Sequence, residues 1–457
     1  MATTRCSIVP RFLVGVVLGV FLAGSGQYAV AAEFAKTTLP LRVSQSGRYL
    51  EDSAGQPFLY HADTAWMLFL KLSSEEAAHY LARRQEQGFN VVQVQLTGFL
   101  GMRNQAGELP FDEHHDLGHP NARFFEHVDK VITYAEQRNL VLAIAPLWSG
   151  CCGEGWAGTD KDGGPKPLNQ AGPQQCCEFG RWLGDRYGAF KNVVWILGGD
   201  NDPDNAREEI RQLGKGLKES APRQLITHHA ASSHSSTDVW PADEPWLDLV
   251  IVYTYFRGFN KAWNKQQPDV YEVCRKEWNE QGIRPFLLGE STYEGEHDAW
   301  GNDLQIRKQA YWAVLSGACG QAYGSANWSF PDGWRDRLDL PGATSLEHLR
   351  SLMEARQWWS LRPDLGDRLV TDGRGEYARN DLVVAAIGDD ESSCLVYIPT
   401  RRTITINLPL LKPGKKRFLW FDPRAGSLSS PQEVEGGPAV TFSSPGEGDW
   451  VLILENQ

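Results

Sequence analysis

The chain has 457 residues, 57 acidic against 45 basic side chains, a net charge of −12 and a hydrophobic share of 42 %. That length exceeds one ordinary domain and accommodates a large and a small one. An acidic chain without a Lys/Arg block makes nucleic acid and anionic membranes poor partners, and no low-complexity tract argues against a folded core.

Taken in chain order, the first segment reads as a leader rather than as fold. Arg5 and Arg11 give a basic start, residues 12–23 are apolar, and Ala29-Val30-Ala31 offers small residues at the −3 and −1 cleavage positions. This is the pattern of a secretory signal peptide over residues 1–31, which places the mature chain in the periplasm or outside the cell. The apolar run is short of the about 20 residues of a membrane span, so no integral span is expected in the mature chain. A β-hairpin is expected next. The turn Asp52-Ser53-Ala54-Gly55 separates Arg48-Tyr49-Leu50 from Pro57-Phe58-Leu59, on what would be a barrel floor.

Eight apolar, β-branched runs then follow, at 58–61, 90–96, 140–148, 192–197, 224–228, 247–253, 285–289 and 320–324. Amphipathic stretches separate them. Ser73-Ser74-Glu75-Glu76 starts one helix with a cap and first-turn acids, and Gly88 ends it. Phe125, Val128, Val131, Ile132 and Ala135 give 121–139 helical spacing. Residues 174–187, 204–218, 270–281 and 303–316 read likewise. Eight buried-type strands, each followed by a helix or long loop, predict a (β/α)8 TIM barrel over residues 36–362. After a helix near 345–361 the texture changes. Short runs at 377–379, 382–387, 393–398, 403–407, 417–422, 439–442 and 450–454, broken by Gly, Pro and Asp, predict a small all-β sandwich over 363–457.

Such barrels carry chemistry at the C-terminal ends of their strands, so the polar residues ending each run are the candidates. They include Asp63 and Trp66 after the first run, Gln95 near the end of the second and Trp148 at the end of the third. Asp200 follows the fourth, His228 and His229 end the fifth, and Tyr253 and Tyr255 close the sixth. Glu290 and Glu294 follow the seventh, and Tyr323 and Trp328 the eighth. Carboxylates, amides, imidazoles and aromatic rings in one cleft suit a carbohydrate: polar groups bond hydroxyls and rings stack on sugar C–H faces. Glycosidic cleavage needs a protonated carboxyl for the leaving oxygen and an ionised one as nucleophile or base. Asp200 after Gly198-Gly199 and Glu290 after Gly289 are expected in these catalytic roles. Asp63, Trp66, Gln95, Trp148, His229, Tyr253, Tyr255, Tyr323 and Trp328 are expected to bind substrate. Adjacent strand residues face opposite ways, so only one of His228 and His229 should reach the mouth, and the pair is a poor joint metal site. Neither a metal nor another cofactor is expected.

Eight cysteines are present, one of them, Cys6, in the leader. Cys151-Cys152 and Cys176-Cys177 form two adjacent pairs, expected to cross-link as disulfides in an oxidising compartment, with a four-thiolate zinc site as the rival. Two further readings compete with a glycosidase. One is a non-catalytic carbohydrate-binding barrel. The other is a metal-dependent hydrolase using His61, Asp63 and His229.

The run Tyr60-His61-Ala62-Asp63-Thr64-Ala65-Trp66, followed by RRQEQGFNVV at 83–92, resembles the start of the apiosidase-like glycoside hydrolases, with Ala62 where a Gly is usual. WILGGD at 195–200, Gly289-Glu290 with Tyr293-Glu294, and YWAVLSGACGQAYGSANW at 311–328 extend the resemblance. Trp420-Phe421-Asp422-Pro423-Arg424 and Asp449-Trp450-Val451-Leu452 look like the small collagen-binding-named domain that follows those barrels. The resemblance implies a retaining mechanism, with Asp200 as general acid/base and Glu290 as nucleophile, on apiose in branched pectin. Retention expects the two carboxyl groups about 5 Å apart. His228 and Gln321 stand where the family usually has Tyr and His.

Overall fold

The computed structural model describes residues 19–23, 27–31, 34–241, 243–255, 269–280, 283–297 and 300–457. The basic start of the expected leader lies outside them. Gly19–Ala23 and Gln27–Ala31, also within that leader, pair antiparallel and continue onto Ser427–Leu428 at the edge of the C-terminal sheet. The expected hairpin is present as Leu50–Glu51 against Pro57–Phe58, with Arg42–Val43 as a third strand.

The barrel strands are β1 Tyr60–Thr64, β2 Val91–Gln95, β3 Val141–Ala145, β4 Val193–Gly198, β5 Ile226–His229, β6 Val250–Tyr253, β7 Phe286–Glu290 and β8 Gly320–Tyr323. They hydrogen-bond in the order β5-β4-β3-β2-β1-β8-β7-β6, every pair parallel. Each strand is buried on both faces, which is why each reads as a continuous apolar run rather than an alternation. At the seam between β5 and β6 a side chain stands in for the ladder. The Ser236 hydroxyl donates to the His228 carbonyl at 2.6 Å and accepts from the Ile251 amide at 2.9 Å.

Between the strands run α1 Ser74–Glu86, α2 Ala122–Gln137, α3 Pro167–Tyr187, α4 Arg207–Ser220, α5 Val270–Asn279 and α6 Asp303–Leu315, with α7 Pro341–Glu354 after β8. α1 starts on a full capping box. Ser73 accepts from the Glu76 amide at 3.2 Å and Glu76 accepts from the Ser73 amide at 3.0 Å. α3 begins seven residues before the expected 174 and bends at Gly172-Pro173, where Gly172 has φ 67°. Proline there lacks the amide that a straight helix would use.

The C-terminal strands form two sheets. The larger runs Ser427–Leu428, Lys416–Asp422, Trp450–Asn456, Ser393–Ile398, Val384–Gly388, Leu361–Pro363; the smaller pairs Val370–Asp372, Thr403–Asn407 and Ala439–Ser443. Residues 377–379, expected as a strand, are a turn. Alternation along the larger sheet separates two cores. Val396, Trp420, Leu452 and Leu454 face the smaller sheet. Leu395, Tyr397, Phe421, Val451 and Ile453 join the barrel core.

The barrel meets that sheet through α6, which is buried from Gln305 to its end. Tyr311 stacks on Tyr397 with centroids 4.6 Å apart. The Arg307 guanidinium grips the buried Asp449 carboxylate at 2.9 and 3.0 Å, and Tyr397 donates to the same group at 3.0 Å. With both faces covered, α6 has no polar stripe, unlike a surface helix.

Candidate active site

The tip of β4 turns through three successive left-handed residues: Gly198 at φ 80°, Gly199 at φ 126° and Asp200 at φ 57°. Side chains at the first two positions have no room. A Cβ on Gly198 would stand 2.3 Å from the His228 ring, and one on Gly199 would stand 2.3 Å from the Trp148 indole. The turn aims the short Asp200 side chain into the cleft. There Trp148 Nε1 donates to Oδ2 at 3.1 Å and the Tyr253 hydroxyl donates to Oδ1 at 3.0 Å.

Glu290 ends β7 and is 6 % exposed. Its Oε2 accepts from His229 Nε2 at 2.8 Å, and its Oε1 accepts from the Tyr293 hydroxyl at 2.7 Å. Trp66 Nε1 donates to that Tyr293 oxygen at 2.8 Å, which fixes its proton toward Glu290. The other His229 nitrogen, Nδ1, lies 3.4 Å from the Asp200 amide. One imidazole therefore contacts both acidic residues. An oxygen of Asp200, a ring nitrogen of His229 and an oxygen of Glu290 all lie within 4.8 Å of one another.

Burial pushes the Glu290 carboxyl up; the His229 contact works against this, the Asp200 charge adds to it, and the Tyr293 bond opposes it. His229 is also shifted up: burial alone would lower it, but the bond and charge of Glu290, with Asp200, outweigh burial. His228 points the other way, against Trp240 and Trp246. Burial, with His229 nearby, lowers it to about 3, so it is a neutral core side chain.

The cavity above these acids holds about 200 Å³. Trp66, Gln95, Trp148, Tyr253, Tyr255 and Trp328 line it with Asp200 and Glu290, as do four residues the sequence reading assigned no substrate role: Phe99, Cys151, Tyr293 and Glu296. Glu296 accepts from Trp328 Nε1 at 2.8 Å and from the Tyr255 hydroxyl at 2.5 Å. Its signal in the sequence was its place in the loop after β7, since such loops build these sites. The nearer candidate Glu294 turns away instead and accepts from Tyr323 and from the Gly342 amide, both at 2.7 Å.

Three expected substrate contacts need correction. Asp63 is fully buried behind the cleft, paired with Arg84 at 2.9 Å and bonded to Tyr80. Tyr323 is spent on Glu294. His229 lies beneath the cleft wall, reaching Glu290 rather than the cavity. The cysteine expectation fails as well: the seven described cysteines are free. Cys151 and Cys152 are exposed at a loop tip, whereas Cys176 and Cys177 are buried in α3, with Cys176 turned to the Leu168 carbonyl at 3.7 Å. Among the described residues, His61, Asp63 and His229 form no converging ligand group. His61 pairs with Gln321 at 3.2 Å and stacks on Phe89.

Comparison with known proteins agrees with this geometry. Residues 44–360 match the model of the family described as "Apiosidase-like, catalytic domain". Residues 367–455 match the "Putative collagen-binding domain of a collagenase". A search of curated proteins returned no match. Among solved structures, a protein described as a glycoside hydrolase superposes with a TM-score of 0.80 at 24 % identity, covering 92 % of this chain and 99 % of the other. A glycoside hydrolase family 5 protein from Bacteroides vulgatus ATCC 8482 gives the same TM-score and identity over 92 % and 95 %. A family 39 glycoside hydrolase from the gut symbiont Bacteroides cellulosilyticus WH2 shares the fold at TM-score 0.53 and 11 % identity, over 87 % and 81 %. The chain belongs to the apiosidase-like family and is a glycoside hydrolase, a TIM-like barrel followed by a small β-domain.

Proposed function

We propose that this protein is a secreted, retaining, exo-acting glycosidase. It removes neutral sugar side chains, apiose-like or other pentoses or hexoses, from plant or microbial polysaccharide. Glu290 attacks the anomeric carbon while Asp200 protonates the departing glycosidic oxygen. Asp200, now ionised, then takes a proton from water as that water displaces Glu290 and releases the sugar.

The observation that carries this reading is the approach of Asp200 and Glu290 within 4.8 Å. An oxygen of each acid lying that close fits the about 5–5.5 Å spacing of retaining carboxyl pairs better than the about 6.5–9.5 Å of inverting ones. The charge of the cleft supports the substrate class. Asp200, Glu290 and Glu296 line it, and among the described residues no Lys or Arg does. A uronate or sulfated sugar would meet repulsion from these three carboxylates and, among the described residues, no cationic partner. A cavity of about 200 Å³ supports seating one terminal ring.

The test is sugar release from a panel of neutral and uronic aryl glycosides and branched glycans by wild type, Asp200→Asn and Glu290→Gln. Each substitution is expected to cut kcat by roughly 10²–10⁴-fold. Azide should restore turnover, giving the retained glycosyl azide with Asp200→Asn and the inverted one with Glu290→Gln. Wild type that binds glycans and releases nothing would make the chain a binding module. Secretion is tested by N-terminal sequencing of the exported protein, which is expected to begin just after Ala31.

A further inference from the structure

The loop after β3 carries a feature that sugar cleavage does not use. Cys151 and Cys152 are adjacent, exposed and free, with their sulfurs 2.6 Å apart. The Glu154 carboxylate holds both of their amides, at 3.2 and 2.9 Å, so both residues are fixed at the rim. Cys151 itself lines the cavity beside Asp200. The preceding residues are tied to the Asp200 turn. Ser149 and Gly150 donate through their amides to Gly198 and Gly199 at 3.1 and 3.0 Å, and the Asn201 amide side chain bonds back to the Gly150 carbonyl. The other adjacent pair, Cys176-Cys177, is buried in a helix and has none of these contacts with the cleft.

We propose that Cys151-Cys152 is a reversible dithiol–disulfide site at the cleft mouth, whose state is passed through Gly150 to the turn that carries Asp200. The oxidant is a small external disulfide. One cysteine thiolate attacks a sulfur of that disulfide, forming a mixed disulfide and expelling one thiolate. The neighbouring cysteine thiolate then attacks the protein sulfur of the mixed disulfide, closing the Cys151–Cys152 bond and expelling the second. The external disulfide gains two electrons and the two protons leaving the protein, becoming two thiols. Adjacent Cα atoms are about 3.8 Å apart, less than the about 4.4–6.8 Å that disulfides usually span, so the ring is strained and easily reduced again. The loop has space to adjust, since nothing lies within 4 Å of where a side chain on Gly153 would begin. The effect on Asp200 rests on its proposed acid/base role; ring closure does not.

The test poises the purified full chain in mixtures of oxidised and reduced glutathione, blocks remaining thiols with an alkylating reagent, and weighs the peptides. The expected result is a peptide spanning Cys151 and Cys152 that is unalkylated and lighter by two hydrogen atoms under oxidised glutathione. It should be doubly alkylated after reduction, while the Cys176-Cys177 peptide shows no ring at either poise. In parallel, kcat on the best substrate of the panel should fall on the order of tenfold on oxidation and recover on reduction, because Asp200 is displaced. Cys152→Ser, which leaves the cavity lining intact, should keep the reduced-state kcat under reduced glutathione and show no ring at either poise, its oxidation stopping at a glutathione adduct on Cys151. Full alkylation of both cysteines at every poise, a glutathione adduct that never closes, or equal kcat in the two states would overturn the proposal. A chain that hydrolyses nothing when reduced contradicts the glycosidase reading instead, and the peptide masses still decide the thiol site.

Discussion

Glu290 sits where its charge is costly, and its neighbours determine how much of that cost remains. Burial and the Asp200 charge raise its pKa, while the His229 and Tyr293 bonds pull it back. In its proposed role as nucleophile it must be ionised, so activity should fall with acidity through a pKa above the ordinary carboxylate range. His229→Gln removes the imidazole charge that lowers this pKa. The acid limb of kcat/KM is therefore expected to move to higher pH, with less loss of rate on the plateau than Glu290→Gln gives. A limb that stays in place, or moves to lower pH, would show that His229 does not set the ionisation of Glu290. Residue identity alone pointed to the two acids and to most of the rings that line the cleft. It misplaced Asp63 because its partner, Arg84, comes from the next helix, and a non-local buried ion pair leaves no periodic mark in a sequence. The cysteine pairs misled for a related reason: spacing says nothing about which thiols are exposed and which are sealed inside α3.

At the scale of elements, the β4 tip decides where the shorter carboxylate stands. Gly199 at φ 126° is nearly restricted to glycine and lies against the Trp148 ring. Gly199→Ala is expected to cost about 1–3 kcal/mol of stability in a urea titration. It should also reduce kcat about 10²-fold, because both the turn and the Trp148 bond to Asp200 shift. A variant with wild-type kcat would mean that the turn does not position the acid. The Gly-Gly-Asp run was legible as a turn because glycine pairs at a strand end have few other uses. The loop after β7 was not. Glu294 and Glu296 look equivalent in sequence, and only the intervening turn at Gly295, φ 79°, separates a structural carboxylate from one in the cleft. Strands of the barrel were readable from their apolar runs. The short C-terminal strands Leu361–Pro363 and Val370–Asp372 were not, since two or three residues carry too little alternation.

Across the whole molecule, barrel and β-domain share a core through α6. The Arg307–Asp449 pair is sealed in that contact, with side chains 3 % and 0 % exposed. Removing Asp449 leaves the buried Arg307 with only the part-exposed Asp303 carboxylate, at 2.7 Å, to answer its charge, so Asp449→Ala is expected to destabilise the full chain by about 3 kcal/mol in denaturant unfolding. A loss below about 1 kcal/mol would show that the pair adds little and that the β-domain is joined chiefly by apolar contact. The two-domain order was legible from the change of texture after the barrel. The shared core was not, because α6 mixes Gln305, Arg307, Lys308 and Gln309 with its apolar residues, and nothing in that pattern discloses that they too are covered.

In the proposed mechanism Asp200 and Glu290 work by double displacement at one sugar carbon. Proton NMR of the first-formed sugar, recorded before mutarotation, tests it directly. The expected product carries the anomeric configuration of the substrate; a product of opposite configuration would rule out double displacement.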